Sequence, residues 1–144
     1  MLFPKKVKHR KWQTNRISEE RRQRPDTRGI TVTYGEYGLK ATTGSRVKSN
    51  QIEAARRVIS RTMGKTGKAW IRIFPDRPIT QKAAEVPMGK GKGDPDHFVF
   101  EVKPGRILFE VDGVPEDIAR EAFRKACAKL PLQGKFVRRE DTRV

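Results

Sequence analysis

The sequence predicts an α+β domain in which two helices pack on a mainly antiparallel β-sheet. Several short segments alternate apolar and polar residues with the period of a strand, and two longer ones repeat apolar residues with the period of a helix. The order of these segments is strand, helix, several strands, helix, strand. That order differs from the regular alternation of strands and helices in parallel α/β proteins. A basic N-terminal arm and a long loop rich in glycine and lysine complete the predicted architecture.

The arm covers residues 1–28, which hold ten basic and three acidic residues and few apolar ones. Such a segment cannot bury enough apolar surface to offset its ordering entropy, so we expect it to be mobile until it binds a partner. Trp12 lies within the cationic run and is suited to stacking on a nucleobase. A solvated tail without a function is the alternative interpretation.

Two strands are predicted from alternation in the first half of the domain. Residues 30–41, "ITVTYGEYGLKA", predict a half-buried strand interrupted at Gly35 and Gly38. Residues 68–74, "KAWIRIF", predict a second strand. Two prolines in the following "PDRPIT" are expected to end it, because proline does not fit a central strand.

A helix is predicted between these strands, from about Ser49 to Gly64. Ser49 or Asn50 can cap it, and Glu53 follows Asn50 at the spacing of a capping box. Its expected apolar stripe comprises Ile52, Ala55, Ile59 and Met63. Off that stripe lie Arg56, Arg57 and Arg61. These arginines form either a binding ridge or a merely solubilising face.

The second half predicts a hairpin, a helix and a last strand. Residues 97–103 and 106–113 read as strands joined by a Pro104-Gly105 turn. The next helix starts near Pro115 and is stopped by Pro131. Its expected core face is Ile118, Ala122, Phe123, Ala126 and Leu130, with Glu121 and Lys125 paired outside. The segment "KFVRRE" predicts the closing strand.

The loop between the strands carries "VPMGKGKGDPD", residues 86–96, within an irregular stretch that covers 75–96. A Walker phosphate loop and a Rossmann fingerprint both fail at the same position, where Asp94 replaces the required small residue. Glycines let the backbone approach another surface closely, while Lys90 and Lys92 supply charge. Loops of this length in compact domains are usually binding loops or disordered linkers, and both readings stay open.

Catalysis and metal binding have little support in the sequence. His9, His97 and Cys127 show no spacing typical of metal ligands, and Asp94 and Asp96 belong to an ordinary Asp-Pro-Asp turn. Cys127 lies among alanines of the last helix and is expected to be a small buried residue. We therefore predict no enzyme activity, no cofactor and no metal.

The charge points to a polyanionic partner. The 144 residues include 33 Lys and Arg against 17 Asp and Glu, for a net charge of +16. No membrane-spanning run, lipidation signal, long basic amphipathic helix or apolar signal-peptide stretch accompanies it, so a membrane is not expected. A single cysteine fits a reducing cytoplasm. Nucleic acid is the best remaining partner.

Long motifs of the chain resemble a known family. They are "KHRKW", "YGEYGLKA", "QIEAARR", "WIRIFPDRPIT", "MGKGKGDPD" and "VKPGRILFEVDGVPEDIAREAF". In this order they resemble the family that comprises bacterial large-subunit ribosomal protein sixteen and archaeal and eukaryotic ribosomal protein ten-e. The resemblance runs over about residues 1–139. One departure concerns Pro87, which stands where family members commonly carry an arginine before "MGKGKG".

The resemblance implies an α/β sandwich with an extended arm and a long loop. It also implies a cytoplasmic constituent of the large ribosomal subunit that binds large-subunit rRNA and supports late assembly of the peptidyl-transferase region. Expected partners are this rRNA, the A-site tRNA, neighbouring ribosomal proteins and, as a further candidate, the P-site tRNA. A homo-oligomer is not expected. The organisation predicted is an arm at 1–28, one RNA-binding domain at 29–140 with a protruding loop at 75–96, and a tail at 141–144.

The expected rRNA-binding residues combine the arm, the first long helix and the strand region. They are Lys5, Lys6, Lys8, His9, Arg10, Lys11, Trp12, Arg16, Arg56, Arg57, Arg61, Arg72 and Arg77. The loop expected near rRNA and tRNA comprises Met88, Gly89, Lys90, Gly91, Lys92 and Gly93. A free-standing RNA-binding assembly factor or regulator would explain the charge and the arm equally well. DNA binding is less supported, because no recognition-helix motif is evident.

Overall fold

A computed structural model of the chain describes residues 1–14 and 17–143. Within these residues the helices are α1 (Glu19–Gln23), α2 (Ser49–Met63) and α3 (Glu116–Cys127), followed by a 3₁₀ turn at Glu140–Thr142. The strands are β1 (Tyr37–Ala41), β2 (Ser45–Lys48), β3 (Lys68–Ile71), β4 (Arg77–Gln81), β5 (Asp94–Val102), β6 (Ile107–Asp112) and β7 (Gly134–Arg138). The predicted α+β class is confirmed.

The strands form two antiparallel sheets. Four strands pair in the order β3-β6-β1-β7, and three pair in the order β2-β5-β4. All of these pairs are antiparallel, as predicted. The division into two sheets was not predicted, because alternation identifies strands without identifying their neighbours.

One hydrophobic core joins both sheets to α2 and α3. It includes Leu39 of β1, Val47 of β2, Ile59 of α2, Phe109 of β6 and Phe123 of α3, all nearly inaccessible to solvent. Burying an aliphatic or aromatic side chain of this size contributes about 1.5–3 kcal/mol. The predicted stripe of α2 is buried throughout, so that prediction is confirmed.

The start of α2 differs from the predicted capping box. The helix begins at Ser49, and the backbone N–H of its cap residue Lys48 donates to Oε1 of Gln51 at 2.8 Å. Because the helix starts two residues earlier than a cap at Asn50 requires, Gln51 occupies the position that is expected for Glu53. Gly64 ends the helix at φ 72°, a conformation that suits glycine.

The last helix and strand lie where they were predicted. α3 begins directly after Pro115, with Glu116 and Asp117 in its first turn, where carboxylates complement the helix dipole. It ends at Cys127, ahead of Pro131. Ala122, Phe123 and Ala126 of the predicted core face are buried in α3, and Ile118 is only partly so. Leu130 is also buried, but it lies beyond the end of the helix. The final strand is β7.

The predicted hairpin at Pro104-Gly105 is wrong. β5 and β6 are consecutive in the chain, but they belong to different sheets. Gly105 still makes a tight turn, at φ 96°, and its N–H donates to the carbonyl of Ala41 at 2.7 Å. The turn therefore passes the chain from one sheet to the other instead of pairing its flanking strands.

The stretch 75–96 is more regular than predicted. β4 occupies Arg77–Gln81 and pairs with β5, which begins at Asp94. Pro78 fits because β4 is an edge strand, where one side needs no donor. The irregular part shortens to residues 82–93, and the preceding strand, β3, ends at Ile71. Assignment of 29–140 as one RNA-binding domain stays a prediction.

Residues 30–34 are not the predicted strand, because they wrap around a buried carboxylate. Glu110 on β6 has no exposed surface. Its Oε1 accepts hydrogen bonds from the backbone N–H of Thr33 and Tyr34, both at 2.8 Å, and of Gly35 at 3.1 Å. Its Oε2 pairs with Nη1 of Arg72. A carboxylate in the interior needs this number of donors to offset lost hydration.

Gly35 permits this arrangement by its lack of a side chain. A Cβ at this position would lie 2.4 Å from the carbonyl oxygen of Val111, whereas real Cβ atoms essentially never come within 3.0 Å of another heavy atom. The 30–34 segment therefore presses on β6 closely enough for its amides to reach Glu110. Arg72 completes the enclosure by donating also to the carbonyl of Thr31 at 3.2 Å.

We expect Glu110→Gln to reduce the free energy of unfolding by about 3 kcal/mol, because it leaves the guanidinium of Arg72 without its buried counter-charge. Urea denaturation followed by circular dichroism measures this loss. The matched control is Glu121→Gln on the surface of α3, which should leave the midpoint unchanged. Equal midpoints for Glu110→Gln and the wild type would show that the buried ion pair does not hold this segment.

Candidate nucleic-acid interface

The N-terminal arm begins against the first turn of α2. Leu2 packs partly buried against the core, and its carbonyl accepts a hydrogen bond from Oγ of Ser49 at 2.5 Å. Residues 1–14 contain five basic residues and no acidic one. The arm therefore brings a concentrated positive charge to this side of the domain.

Further along, the arm contacts the end of the glycine-lysine loop, which we define as residues 82–93. Nζ of Lys11 donates to the carbonyl of Lys92 at 3.2 Å, and Nζ of Lys92 donates to the carbonyl of Trp12. Arg10 pairs with Asp94, at 3.3 Å between Nη2 and Oδ1. Each lysine thus satisfies a carbonyl of the other segment. The arm lies on the loop through these two hydrogen bonds, and its mobility without a partner stays a prediction.

The loop itself protrudes from the domain. Met88 is 88% exposed. Gly89 and Gly91 have φ values of 92° and 106°, and a Cβ added to either would meet nothing within 4 Å. These glycines are therefore required by backbone conformation rather than by packing within the protein. Residues 89–92 are exposed, so their backbone and the side chain of Lys90 are accessible to an anionic partner.

The arginine ridge of α2 is partly neutralised by an acidic residue beside it. Glu53 accepts hydrogen bonds from Arg56 at 2.5 and 3.0 Å and lies 3.4 Å from Arg57. The hydrogen bond from Arg56, helped by the charge of Arg57, lowers the pKa of Glu53 to about 2. Arg61 lies one turn further along the helix and is exposed. The arginines of the ridge are accessible, but two of them, Arg56 and Arg57, pair with the carboxylate of Glu53.

Two predicted RNA-binding arginines are engaged inside the protein. Arg72 pairs with the buried Glu110, and Arg77 is 6% exposed and pairs with Glu101. Their guanidinium groups already have carboxylate partners within the protein, and a contact of either with RNA stays a prediction. Sequence alone did not show this, because the ion pair of Arg72 spans 38 residues.

The remaining predicted residues divide between accessible and undescribed positions. The exposed ones are Lys5, Lys6, Lys8 and His9. Arg16 lies outside the described residues. One contact is not predicted by the sequence: Asp94, which the Asp-Pro-Asp motif indicates as turn material, pairs with Arg10 of the arm. No local pattern signals this contact, because 84 residues separate the two.

Other kinds of site are weakly represented. Among residues 1–14 and 17–143, no group of three or more His, Cys, Asp or Glu side chains is placed to hold a metal ion. No helix in the same residues is long and apolar enough to cross a membrane. Cys127 is half-buried, and this burial raises the pKa of its thiol, which disfavours the reactive thiolate.

Comparison with known proteins assigns the chain to a family. A sequence model of the ribosomal protein L16p/L10e family matches residues 4–137. The chain belongs to the ribosomal protein L16p/L10e family. This confirms the resemblance that the motifs suggested. A family of ribosomal proteins also agrees with the prediction that the chain is not an enzyme.

Relatives in the L16p/L10e family match over nearly their whole length. A large ribosomal subunit protein uL16 from Halorhodospira halophila is 54% identical over 139 residues, 96% of this chain and 98% of its own. A protein of the same name from Methylibium petroleiphilum is 53% identical over 140 residues, 97% of this chain and 98% of its own. The arm and the loop therefore both lie within the region shared with these relatives.

In this L16p/L10e member, we expect Glu53 to titrate near pH 2, below its ordinary value of 4.5. Because the folded pKa is lowered, the ion pair stabilises the fold above about pH 4.5, and this contribution disappears as the pH falls through 2. Titration of the Glu53 carboxyl carbon by NMR measures the pKa. Arg56→Gln should return it toward 4.5, whereas Arg124→Gln on α3 should leave it low. A wild-type pKa near 4.5 would contradict the pairing.

Proposed function

We propose that this protein is a structural constituent of the large ribosomal subunit in the cytoplasm, where it binds large-subunit rRNA. The observation that carries the proposal is the junction of the arm and the glycine-lysine loop. Two segments that are remote in the sequence form one basic surface there, through Lys11 and Lys92. The names of the two relatives support the same assignment.

The chemistry of this surface suits RNA. Within residues 1–14, the only side-chain ion pair is that of Arg10 with Asp94. Lys5, Lys6 and Lys8 are exposed and available to phosphates, and counterions released from the RNA would drive the association. Folded RNA is recognised mainly by shape, backbone and unpaired bases, which a basic arm and a protruding loop can contact.

We also propose the finer roles that the resemblance implies. The protein would contact the A-site tRNA, with the P-site tRNA as a second candidate, would touch neighbouring ribosomal proteins and would support late assembly of the peptidyl-transferase region. The protruding loop supports a contact beyond the rRNA held by the arm, because Gly89 and Gly91 face open space. Pro87 lies within this loop, directly before Met88, and stands where family members commonly carry an arginine.

The competing assignment is an RNA-binding assembly factor or regulator outside the mature ribosome. Sedimentation of a cell lysate through a high-salt gradient separates the two. Stoichiometry near one copy per mature large subunit supports a structural role. Presence only on immature particles or in the free fraction would contradict it.

We expect the double substitution Lys90→Glu with Lys92→Glu to impair translation or maturation of the large subunit while leaving the domain folded. It reverses two charges on the loop and removes the ammonium group of Lys92, which donates a hydrogen bond to the carbonyl of Trp12. Growth rate and ribosomal subunit profiles measure the effect. The matched control is Lys129→Glu with Lys135→Glu, which makes the same charge change on exposed residues elsewhere. Normal growth and normal profiles in the loop variant would contradict the role of the loop.

Deleting residues 1–16 should weaken RNA binding far more than it weakens the fold. The deletion removes six basic residues. If each neutralises one phosphate, the slope of log affinity against log salt becomes shallower by about 4 to 5. Loss of the partly buried Leu2 should cost about 1 kcal/mol, or at most about 4 °C in Tm. Salt-dependent filter binding and thermal denaturation measure the two effects. Collapse of the fold would place the arm in the core instead.

A further inference from the structure

Aromatic and basic side chains line the outer face of β3. Side chains alternate along a strand, so positions 68, 70 and 72 lie opposite Ala69 and Ile71, which pack against the hydrophobic core. The ring of Tyr34, from the segment before β1, joins them. We call this set the β3 ladder, and its members are Lys68, Trp70, Tyr34 and Arg72. The β3 ladder therefore lies on the side of the strand that faces away from the main core.

Three contacts join the members of the β3 ladder. Nζ of Lys68 lies 5.2 Å from the centre of the Trp70 ring. The rings of Trp70 and Tyr34 are nearly parallel, with 23° between their planes and 6.2 Å between their centres. The guanidinium carbon of Arg72 lies 5.1 Å from the centre of the Tyr34 ring. Stacking and cation–π contacts of this kind give each side chain a defined orientation.

Glu110 fixes two members of the β3 ladder from inside the protein. This buried carboxylate accepts the backbone N–H of Tyr34 at 2.8 Å and pairs with Arg72. The backbone N–H of Arg72 donates to the carbonyl of Leu108 at 2.9 Å, which continues the pairing of β3 with β6 past the end of the strand. A partner would therefore meet an ordered surface, and binding would cost little conformational entropy.

Tyr34 keeps ring surface that a partner can reach. Its side chain is 57% exposed, although Trp70 and Arg72 both contact it. The 6.2 Å between the two ring centres indicates an offset stack, because directly superposed rings would be closer. The two neighbours therefore cover only part of the Tyr34 ring. An unpaired nucleobase can stack on the remaining part, as bases do on aromatic residues of other sheet faces.

Charge favours RNA over a protein as the partner of the β3 ladder. Lys68 is exposed, and so is Lys65 in the turn before β3. Among the described residues, neither ammonium group has a carboxylate partner. Asp112 lies opposite Lys68 in the sheet, but its Oδ1 accepts the N–H of Gly113 at 2.8 Å. Lysine is depleted in protein–protein interfaces, whereas it supplies phosphate contacts in nucleic-acid interfaces.

We propose that the β3 ladder is a second RNA-binding surface, at which an unpaired base stacks on Tyr34 and Lys68 contacts a neighbouring phosphate. Every base has an aromatic face, so the surface accepts any base. This inference rests on the proposed RNA-binding function and adds a contact outside the arm and the glycine-lysine loop. None of the three contacts within the β3 ladder involves a residue of either segment. The chain thus holds RNA at two separate places.

The first test compares two single-stranded probes that carry the same phosphates. One is a fluorescein-labelled uridine decamer, and the other has the same ribose-phosphate backbone without bases. Fluorescence anisotropy at fixed ionic strength gives the affinity of the full-length chain for each probe. We expect Tyr34→Ala to weaken binding of the uridine decamer about five-fold, as the loss of one stacked base predicts. Its affinity for the abasic decamer should equal that of the wild type.

Tyr34→Phe is the matched control, because it keeps the ring and should bind both probes as the wild type does. A photocrosslink tests the stacking without any variant. A uridine decamer with one central iodouridine, irradiated in the presence of the wild-type chain, should crosslink to Tyr34, and mass spectrometry locates the modified residue. Equal affinity of Tyr34→Ala and the wild type for the uridine decamer, an equal loss on both probes, or no crosslink at Tyr34 would overturn the proposal.

Lys68→Gln tests the phosphate contact. The slope of log affinity against log salt for the uridine decamer should become shallower by about 0.7, the value for one phosphate of a single strand. The control is Lys135→Gln, which removes an exposed lysine of β7 at the opposite edge of the same sheet and should keep the slope. Equal slopes for Lys68→Gln and the wild type would contradict this contact.

Failure of the β3 ladder is distinguishable from failure of the proposed function. A wild-type chain that sediments stoichiometrically with mature large subunits, while Tyr34→Ala binds the uridine decamer normally, contradicts only the β3 ladder. Lower occupancy of Tyr34→Ala in those subunits without any loss of RNA affinity would assign the β3 ladder to a protein neighbour and overturn the proposal. Absence of the wild-type chain from mature subunits contradicts the ribosomal role instead.

Discussion

The buried carboxylate of Glu110 fixes the segment before β1 and the residue after β3 on the four-stranded sheet. An ionised group inside a protein is tolerated only when donors surround it, and here three consecutive amides and one guanidinium do so. This requirement draws residues 33–35 onto β6 and fixes Arg72 beside them. Because the amides of residues 33–35 bind Glu110 instead of a neighbouring strand, β1 begins after them, at Tyr37. The close approach at Gly35 is a consequence of the same constraint.

Ion pairs within the domain decide which of the positive charges remain available to a partner. Carboxylates of the folded domain pair repeatedly with arginines, as Glu101 does with Arg77 and Glu116 with both Arg120 and Arg138. The hydrogen bonds from Arg138 and Arg120 lower the pKa of Glu116 and keep it ionised. Residues 1–14 have no acidic residue of their own. Residues 1–14 therefore keep their positive charge with no acidic residue among them, and only Arg10 pairs with a carboxylate of the domain.

The arm and the loop depend on each other physically. A loop rich in glycine exposes its carbonyls, and long lysine side chains reach them without requiring a packed interface. These contacts are solvent-exposed, so a polyanion can compete for the same ammonium groups at small cost. A ribosomal protein of the L16p/L10e family can thus carry several modest contacts on one continuous basic surface.

The sequence by itself determined the α+β class, the stripe of α2, the start of α3, the strand nature of β5, β6 and β7, and the family. Each of these follows from a local period, a turn residue or a contiguous motif. Only the tertiary structure decided that β5 and β6 belong to different sheets, that Pro78 lies in an edge strand, and that Arg72 and Arg77 face inward. It also decided that Asp94 holds Arg10. The reason is that partner choice between distant segments depends on which groups burial forces together, and local periodicity carries no information about that.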